Sequence, residues 1–335
     1  MKNMLRKLGV VLLGAALLAG ALTACSQSTE STTPASTSTS ISTPTLTPTQ
    51  TQTPTPTPFT ITDHFGRVVT INNSHPQRII SLAPSNTEIL FALGLGDRIA
   101  GVTSYCNYPP EATTKPSIGD YNTPNIEEII AREPDLVLAT EVHETTIAQL
   151  ESRGITVVGL SPKDLNEVLA TITLVGKITG QENEAASLVA DMQKRIKAVT
   201  DKTGKLTEAQ KPRVFYIIWH DPIWTVGSGT LHDELIQMAG GINIAHDLAG
   251  YIDISLENVI MANPQVIIAG TGMGTGEDLP LQFVQTESRL QDVDARQNDR
   301  IYSVDMDIIG RPGPRIVDAL EELLKIIHPE LQDQP

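Results

Sequence analysis

The chain has 335 residues, 40% of them hydrophobic and 4% aromatic, and carries 39 acidic side chains against 24 cationic ones for a net charge of −15. That balance excludes a protein whose affinity rests on neutralising phosphates, because such binding needs a surplus of cations, so no nucleic-acid partner is expected. The length exceeds what one hydrophobic core usually supports, and two lobes are expected.

Lys2, Arg6 and Lys7 precede an apolar, small-residue run over 8–24, which is too short and too rich in Gly and Ala for a comfortable membrane span and reads as the core of an export signal. It ends in Leu22-Thr23-Ala24-Cys25, the form of a bacterial lipobox, so 1–25 is expected to be a leader with Cys25 as the lipidated residue; an ordinary signal peptide that contains Cys is the alternative. The protein is then extracytoplasmic, in a periplasm or on the outer face of the cytoplasmic membrane, and touches lipid through its anchor alone. The stretch 26–58 consists mostly of Ser, Thr and Pro, with almost no apolar side chains to offset the entropy of ordering, so this is a disordered tether that Thr-Pro alternation keeps extended. Cys106 is the one cysteine left in the body, where no disulfide can form and a buried or shielded thiol is expected.

The folded body divides into a lobe over 59–180, a linking helix over 181–203 and a lobe over 204–335. The stretch 60–71 alternates apolar and polar residues around Asp63-His64-Phe65-Gly66-Arg67 and predicts a hairpin with Gly at the turn. Short β-branched runs follow at 78–83, 99–103, 135–139 and 155–160 with helical stretches between them. The same rhythm returns at 213–219, 265–269 and 300–304, which predicts an α/β protein with a mainly parallel sheet in each lobe. Between the halves Ala185, Leu188, Val189, Met192, Ile196 and Val199 recur at helical spacing with no Pro or Gly from 181 to 202, so one continuous helix joins the lobes and limits their closure.

An internal repeat is the most informative feature. The segment 125–139 (NIEEIIAREPDLVLA) can be laid without a gap over 255–269 (SLENVIMANPQVIIA), a polar helix start, a Pro stop and a buried strand in each. A weaker echo relates 78–93 to 213–238, where Ser85 with Glu88, and Thr230 with Asp233, have the spacing of reciprocal helix caps. The repeat puts Glu127 and Glu257 at equivalent places in the first helical turn. An acid there gains a few tenths of a kcal/mol from the helix dipole, which would suffice to explain either one; two matched acids, one per lobe, would also suit a partner with basic sockets.

Tyr105, Tyr108 and Tyr121 crowd into one interval, and Trp219, Trp224 and Tyr251 into another, each after a strand. Loops past strand carboxyl ends are where open α/β sheets bind ligands, and two such sets facing each other make a cleft. Packing suits Trp219 at the end of an apolar run; Tyr105, Tyr121 and Tyr251 stand among polar and Pro/Gly-rich neighbours. After the last strand, Asp307 and Arg311 could offer polar contacts at the cleft floor, or pair with each other in a turn. The run Gly270-Thr271-Gly272-Met273-Gly274-Thr275-Gly276 fails the spacing of a dinucleotide loop and reads as a flexible loop. No nucleophile elbow, P-loop or H-E-x-x-H occurs, so no enzyme is indicated. In His143-Glu144, His220-Asp221, His232-Asp233 and His246-Asp247 adjacent residues diverge in direction and chelate poorly; solvated surface groups are expected, with a composite metal site across the cleft as the alternative.

Ser81-Leu82-Ala83-Pro84-Ser85-Asn86-Thr87-Glu88, Gly94, Gly101-Val102-Thr103-Ser104-Tyr105 and Asn107-Tyr108-Pro109-Pro110 resemble the first lobe of bacterial ABC-importer binding proteins for cobalamin and iron chelates. The resemblance covers nearly all of 59–328, including the closing R-x-x-P-R. It implies two Rossmann-like lobes on a helical backbone, no catalysis, no resident cofactor or metal, a monomer, and delivery of ligand to an ABC permease dimer with its ATPase subunits. Carried over by position, Tyr105, Tyr121, Trp224 and Tyr251 match aromatic positions lining a corrinoid cleft, Asp307 and Arg311 match polar contacts, and Glu127 and Glu257 match acids that dock onto permease arginines. Thr140 and Ile308 stand where the family pattern has aromatics. The ligand implied is cobalamin or a related corrinoid, with ferric siderophore or haem as the alternative.

Overall fold

A computed structural model describes residues 58–272 and 278–332; the leader with Cys25, the tether to residue 57, and 273–277, which hold the end of the glycine-rich run, lie outside the described residues. The strands are β1 Phe59–Thr62, β2 Val68–Ile71, β3 Ile79–Ser81, β4 Ile99–Val102, β5 Leu136–Ala139, β6 Val157–Gly159, β7 Arg213–Ile217, β8 Trp219–His220, β9 Ile223–Val226, β10 Ile242–Asn243, β11 Tyr251–Asp253, β12 Val266–Thr271 and β13 Ile301–Asp305. The helices are α1 Pro84–Ala92, α2 Ile126–Ala131, α3 Glu144–Glu151, α4 Leu165–Thr179, α5 Glu182–Thr203, α6 Leu231–Met238, α7 Leu256–Ala262, α8 Leu279–Thr286, α9 Asp294–Gln297, α10 Met306–Ile309 and α11 Ile316–Ile327.

The hairpin expected at 60–71 forms as β1 and β2, antiparallel, with Gly66 at φ 72°. The first lobe carries an all-parallel sheet in the order β4-β3-β5-β6, and the second an all-parallel sheet in the order β10-β7-β12-β13. Numbered within each parallel sheet, both run second, first, third, fourth, so the sequence repeat is a repeat of topology. It extends to the backbone: Asn125 caps α2 and Ser255 caps α7, and Glu133 and Asn263, each just before the repeat's proline, both take φ 45°. Proline disfavours helical backbone in the residue before it, which is why both helices stop there.

The second lobe adds a small antiparallel ribbon, β11-β9-β8, absent from the sequence expectation, which ran the strand at 213 on through Trp219 where the structure ends β7 at Ile217 and starts β8. Its register sets Tyr251 opposite Val226 and Asp253 opposite Trp224, which places Tyr251 and Trp224 on one side of the ribbon.

The lobes are joined by α5, 22 residues or about 33 Å at 1.5 Å per residue. Ala185, Met192 and Val199 bury one stripe of it in a core that continues through α4 and α11 into both sheets, while Phe215 and Ile80 belong to separate cores on the outer sheet faces. The turn from α4 into α5 is tight: a Cβ on Gly176 would sit 2.4 Å from that of Ala185, so only glycine admits the contact. The strut is therefore packed along its length.

Sequence spacing misleads at α1. Ala83 is the cap residue, with no side-chain bond, and Pro84 takes the first helical position, where its missing N–H costs nothing. Ser85 and Glu88 consequently form no reciprocal cap, and Glu88 reaches instead to the other lobe. At α6, Thr230 does accept a bond from the Asp233 N–H, but the Asp233 carboxylate turns to Gln237, Asn243 and His246 instead of back to the cap.

Candidate functional site

A cavity of about 600 Å³ opens between the lobes. From the first lobe it is lined by His64 and Phe65 at the hairpin turn, Ser85 after β3, Tyr121 in the connection after β4, Thr140 and Glu141 after β5, and 160–163 after β6; from the second by 229–232, Gly250, Tyr251, Gly310 and Pro312. In the first lobe these loops follow strand carboxyl ends, as the parallel topology requires.

The hairpin turn is held for this task by Asp63. Its buried carboxylate accepts the N–H groups of Phe65, Arg67 and Gly159 and the Arg67 guanidinium, and although burial opposes ionisation these bonds hold its carboxyl below the usual range. His64 Nδ1 accepts the Ser161 N–H at 3.2 Å, tying the turn to the loop after β6.

Two tyrosines enter the cavity from opposite lobes. Tyr121 and Tyr251 are separated by the same offset as the two repeat copies and occupy matching places. Each is backed by a histidine presented edge-on, His143 behind Tyr121 with ring centroids 5.3 Å apart at 85°, and His232 behind Tyr251 at 5.8 Å and 82°. The histidines are not repeat-equivalent, so the two lobes reach one arrangement by different residues. The Thr140 N–H donates to His143 Nδ1 at 3.0 Å, which leaves the proton on Nε2 to be given to the Tyr121 carbonyl at 2.6 Å. Tyr121 closes the loop with its hydroxyl 3.3 Å from Thr140 Oγ1. His232 is buried between Tyr251 and Tyr216, with Nδ1 3.5 Å from the Tyr251 hydroxyl and Nε2 buried without a partner among the described residues. Desolvation holds both cleft phenols above their ordinary pKa, and Glu141 adds to the rise in each, so both are neutral.

Both histidines are neutral as well: burial lowers His143, and lowers His232 to about 4. The unfolded chain takes up these protons near pH 6.5 and the fold does not, so their contribution to stability is whole above about pH 6.5 and is lost as pH falls below it, for His232 down to about 4. For His232 that loss is roughly 3 kcal/mol. Urea midpoints measured from pH 7.5 to 4 are expected to fall through this window. His232→Phe, which removes an already orphaned nitrogen, should flatten the decline; an unchanged slope in that variant would show that His232 is charged in the fold.

Below the cavity an ionic network ties the lobes together. Glu88 of α1 is 3% exposed and accepts both Nε (2.9 Å) and Nη2 (2.6 Å) of Arg315 and Nη1 of Arg311 (3.1 Å). Arg311 also donates to Asn107 Oδ1 at 2.7 Å and to the Tyr105 carbonyl at 3.3 Å, and pairs with Asp307 at 2.6 Å. Asn107 Nδ2 completes the ring on Asp307 Oδ2 at 2.7 Å. Tyr108 lies 4.0 Å over the Arg315 guanidinium. A second tie between lobes runs from the Leu165 N–H to Glu234 Oε2 at 2.9 Å.

Of the residues singled out in the sequence, Tyr121 and Tyr251 line the cavity together. Trp224 (41% exposed) and Tyr105 (55% exposed) stand outside its lining, and Asp307 and Arg311 are engaged with each other and with the first lobe. Glu127 and Glu257 are both exposed in the first turns of α2 and α7. Cys106 is buried, accepting a bond from Thr87 Oγ1 at 3.1 Å, and burial pushes its thiol up. The expectation that the four His-acid pairs are solvated surface groups fails for His143 and His232, 1% and 2% exposed. The spacing Thr140-x-x-His143 at the end of a strand was the readable signal for the first, since it forms a reciprocal cap. Nothing local marked His232, or the lining by Phe65, Glu141 and Lys163.

Residues 79–308 match a family model described as periplasmic binding protein. Over 277 residues the chain is 34% identical to an uncharacterized ABC transporter substrate-binding lipoprotein of Bacillus subtilis, covering 81% of this chain and 86% of that one. Among solved structures, the periplasmic vitamin B12 binding protein of Vibrio cholerae is similar with a TM-score of 0.65 at 29% identity, covering 77% of this chain and 99% of that one. A periplasmic heme-binding protein from Roseiflexus is similar with a TM-score of 0.67 at 30% identity, covering 76% and 99%.

Proposed function

The chain belongs to the periplasmic binding protein family, a family of non-enzymatic transport components, and we propose that it captures a corrinoid between its lobes for an ABC permease. The observation that carries the reading is the cavity itself: two neutral tyrosines at repeat-equivalent positions face it from opposite lobes, and among the described residues its charged lining is one carboxylate, Glu141, and one ammonium, Lys163. A charge-balanced cleft suits a bulky ligand whose rim is made of neutral hydrogen-bonding groups, as the amides of a corrinoid are. Haem brings two carboxylates to a site with a single lysine, which is why it stands second. Resemblance to a vitamin B12 binding protein supports the first ligand and resemblance to a heme-binding protein the second.

Capture then costs little ordering, because the packed α5 strut and the ionic network below the cavity hold the lobes at a fixed spacing before ligand arrives. In this reading Cys25 carries the lipid anchor and the Thr-Pro segment lets the body reach the permease, onto which Glu127 and Glu257 dock. Calorimetric titration of the folded body with cyanocobalamin, haem and ferric hydroxamates tests the ligand. Saturable one-to-one heat is expected with cyanocobalamin, with Kd of about 1 μM or tighter; silence with cyanocobalamin and heat with haem would overturn the corrinoid assignment.

A further inference from the structure

Beside the main cleft lies a second cavity of about 460 Å³, bounded by Phe65, Arg67 and Glu141 and by the face of α3 that carries Glu144, Ala148 and Glu151. Phe65 and Glu141 line both spaces, so the two adjoin at a shared wall. That wall is built in. A Cβ on Gly159 would lie 2.2 Å from the Phe65 ring, so the ring rests on bare backbone, and the Arg67 guanidinium stands 5.7 Å from its centroid. The two spaces differ in charge. Where the cleft is balanced, the side cavity sets three carboxylates against one guanidinium, and that guanidinium is already committed to Asp63 (2.9 Å) and Glu151 (2.8 Å). Glu141, which faces Lys163 across the cleft lining, is shared by both spaces, and Glu144 adds a carboxylate with no cation paired to it among the described residues, beside an aromatic wall.

The geometry points to this side cavity as a subsite of the cleft that receives a peripheral arm of the ligand, accepting an amide or ammonium end and turning away a carboxylate. The inference rests on the cleft being the ligand site, and it makes the side cavity the element that separates amide-rimmed macrocycles from carboxylate-rimmed ones. Because both acids are exposed, the discrimination should weaken as salt is added.

Calorimetry with cyanocobalamin and with its monocarboxylates, in which one peripheral amide is hydrolysed, tests it, alongside ferrioxamine B, an iron trihydroxamate with a free ammonium arm. Cyanocobalamin is expected to bind at least about tenfold tighter than one of the monocarboxylates at low salt, a difference of about 1.4 kcal/mol. The double variant Glu141→Gln with Glu144→Gln should remove most of that ratio. Ala148→Trp, on an exposed helix face, should fill the side cavity and weaken cyanocobalamin by a similar factor while leaving the melting temperature unchanged. Cyanocobalamin bound equally with its monocarboxylates, and unaffected by Ala148→Trp, would overturn the subsite and leave the corrinoid reading standing. No binding of cyanocobalamin, with ferrioxamine B bound and weakened by Ala148→Trp, would overturn the corrinoid reading and leave the subsite standing; ferrioxamine B bound and indifferent to that substitution would overturn both.

Discussion

Glu88→Ala is expected to lower the unfolding free energy by about 3–5 kcal/mol, because it strips the carboxylate from two guanidinium groups that have little water to replace it. Arg311 and Arg315 have side chains only 11% and 14% exposed, and Glu88 is their shared acceptor across the lobe boundary. In a body of this size the loss corresponds to a fall in melting temperature of roughly 6–20 °C. Glu88→Gln keeps the shape and one acceptor oxygen and should fall between the two, which separates lost charge from lost packing. The same change should reach the ligand. With the network broken, α5 and its core remain as the main restraint on lobe spacing, so the binding-competent arrangement becomes a fraction of the population and the apparent Kd rises by the inverse of that fraction. Urea denaturation and small-angle scattering check the two halves of the expectation. A variant within about 0.5 kcal/mol of the parent, with unchanged scattering, would mean that the strut alone sets the cleft.

This network also shows where sequence reading reaches and where it stops. The hairpin, the two parallel sheets, the long helix and the repeat were legible because each leaves a local signature: alternation, β-branched runs, helical spacing, two segments that superimpose without a gap. Tyr121 and Tyr251 were legible for the same reason, as aromatics set among polar loop residues. Glu88 was not. Its spacing from Ser85 suggested a cap, but its partners lie 223 and 227 residues away, and nothing within a few positions of it announces an arginine from another lobe. Asp307 and Arg311 show the opposite case: the sequence offers polar contacts at the cleft floor or a pair in a turn, and the structure holds the pair together while adding Asn107 and Glu88. His232 was misjudged because burial is decided by Tyr216 and Tyr251, which flank it in space but lie several turns of chain away from it on either side in the sequence.

Reversing both outward acids, Glu127→Lys together with Glu257→Lys, is expected to leave ligand affinity of the isolated body unchanged and to cut ligand uptake by cells at least about 100-fold, since each like-charge contact with a basic socket costs several kcal/mol. Neither residue lines the cavity, both are exposed, and the dipole contribution each makes to its short helix is a few tenths of a kcal/mol, so the fold survives the exchange. The repeat supplies the reason to reverse them as a pair. Asn125 and Ser255 each cap their helix through a side-chain oxygen, which puts Glu127 and Glu257 at the same position in the first turn of equivalent helices and suits a partner with two related sockets. The two are not electrostatically equal. Glu257 has Arg289 at 4.0 Å, a guanidinium that also binds Glu287 at 2.9 Å, whereas no cation pairs with Glu127 among the described residues. Glu127→Lys alone should therefore impair uptake more than Glu257→Lys alone, and adding salt to a reconstituted transport assay should narrow the gap between them. Full uptake in the double variant would mean that the acids serve only their helix termini and that the permease grips another face.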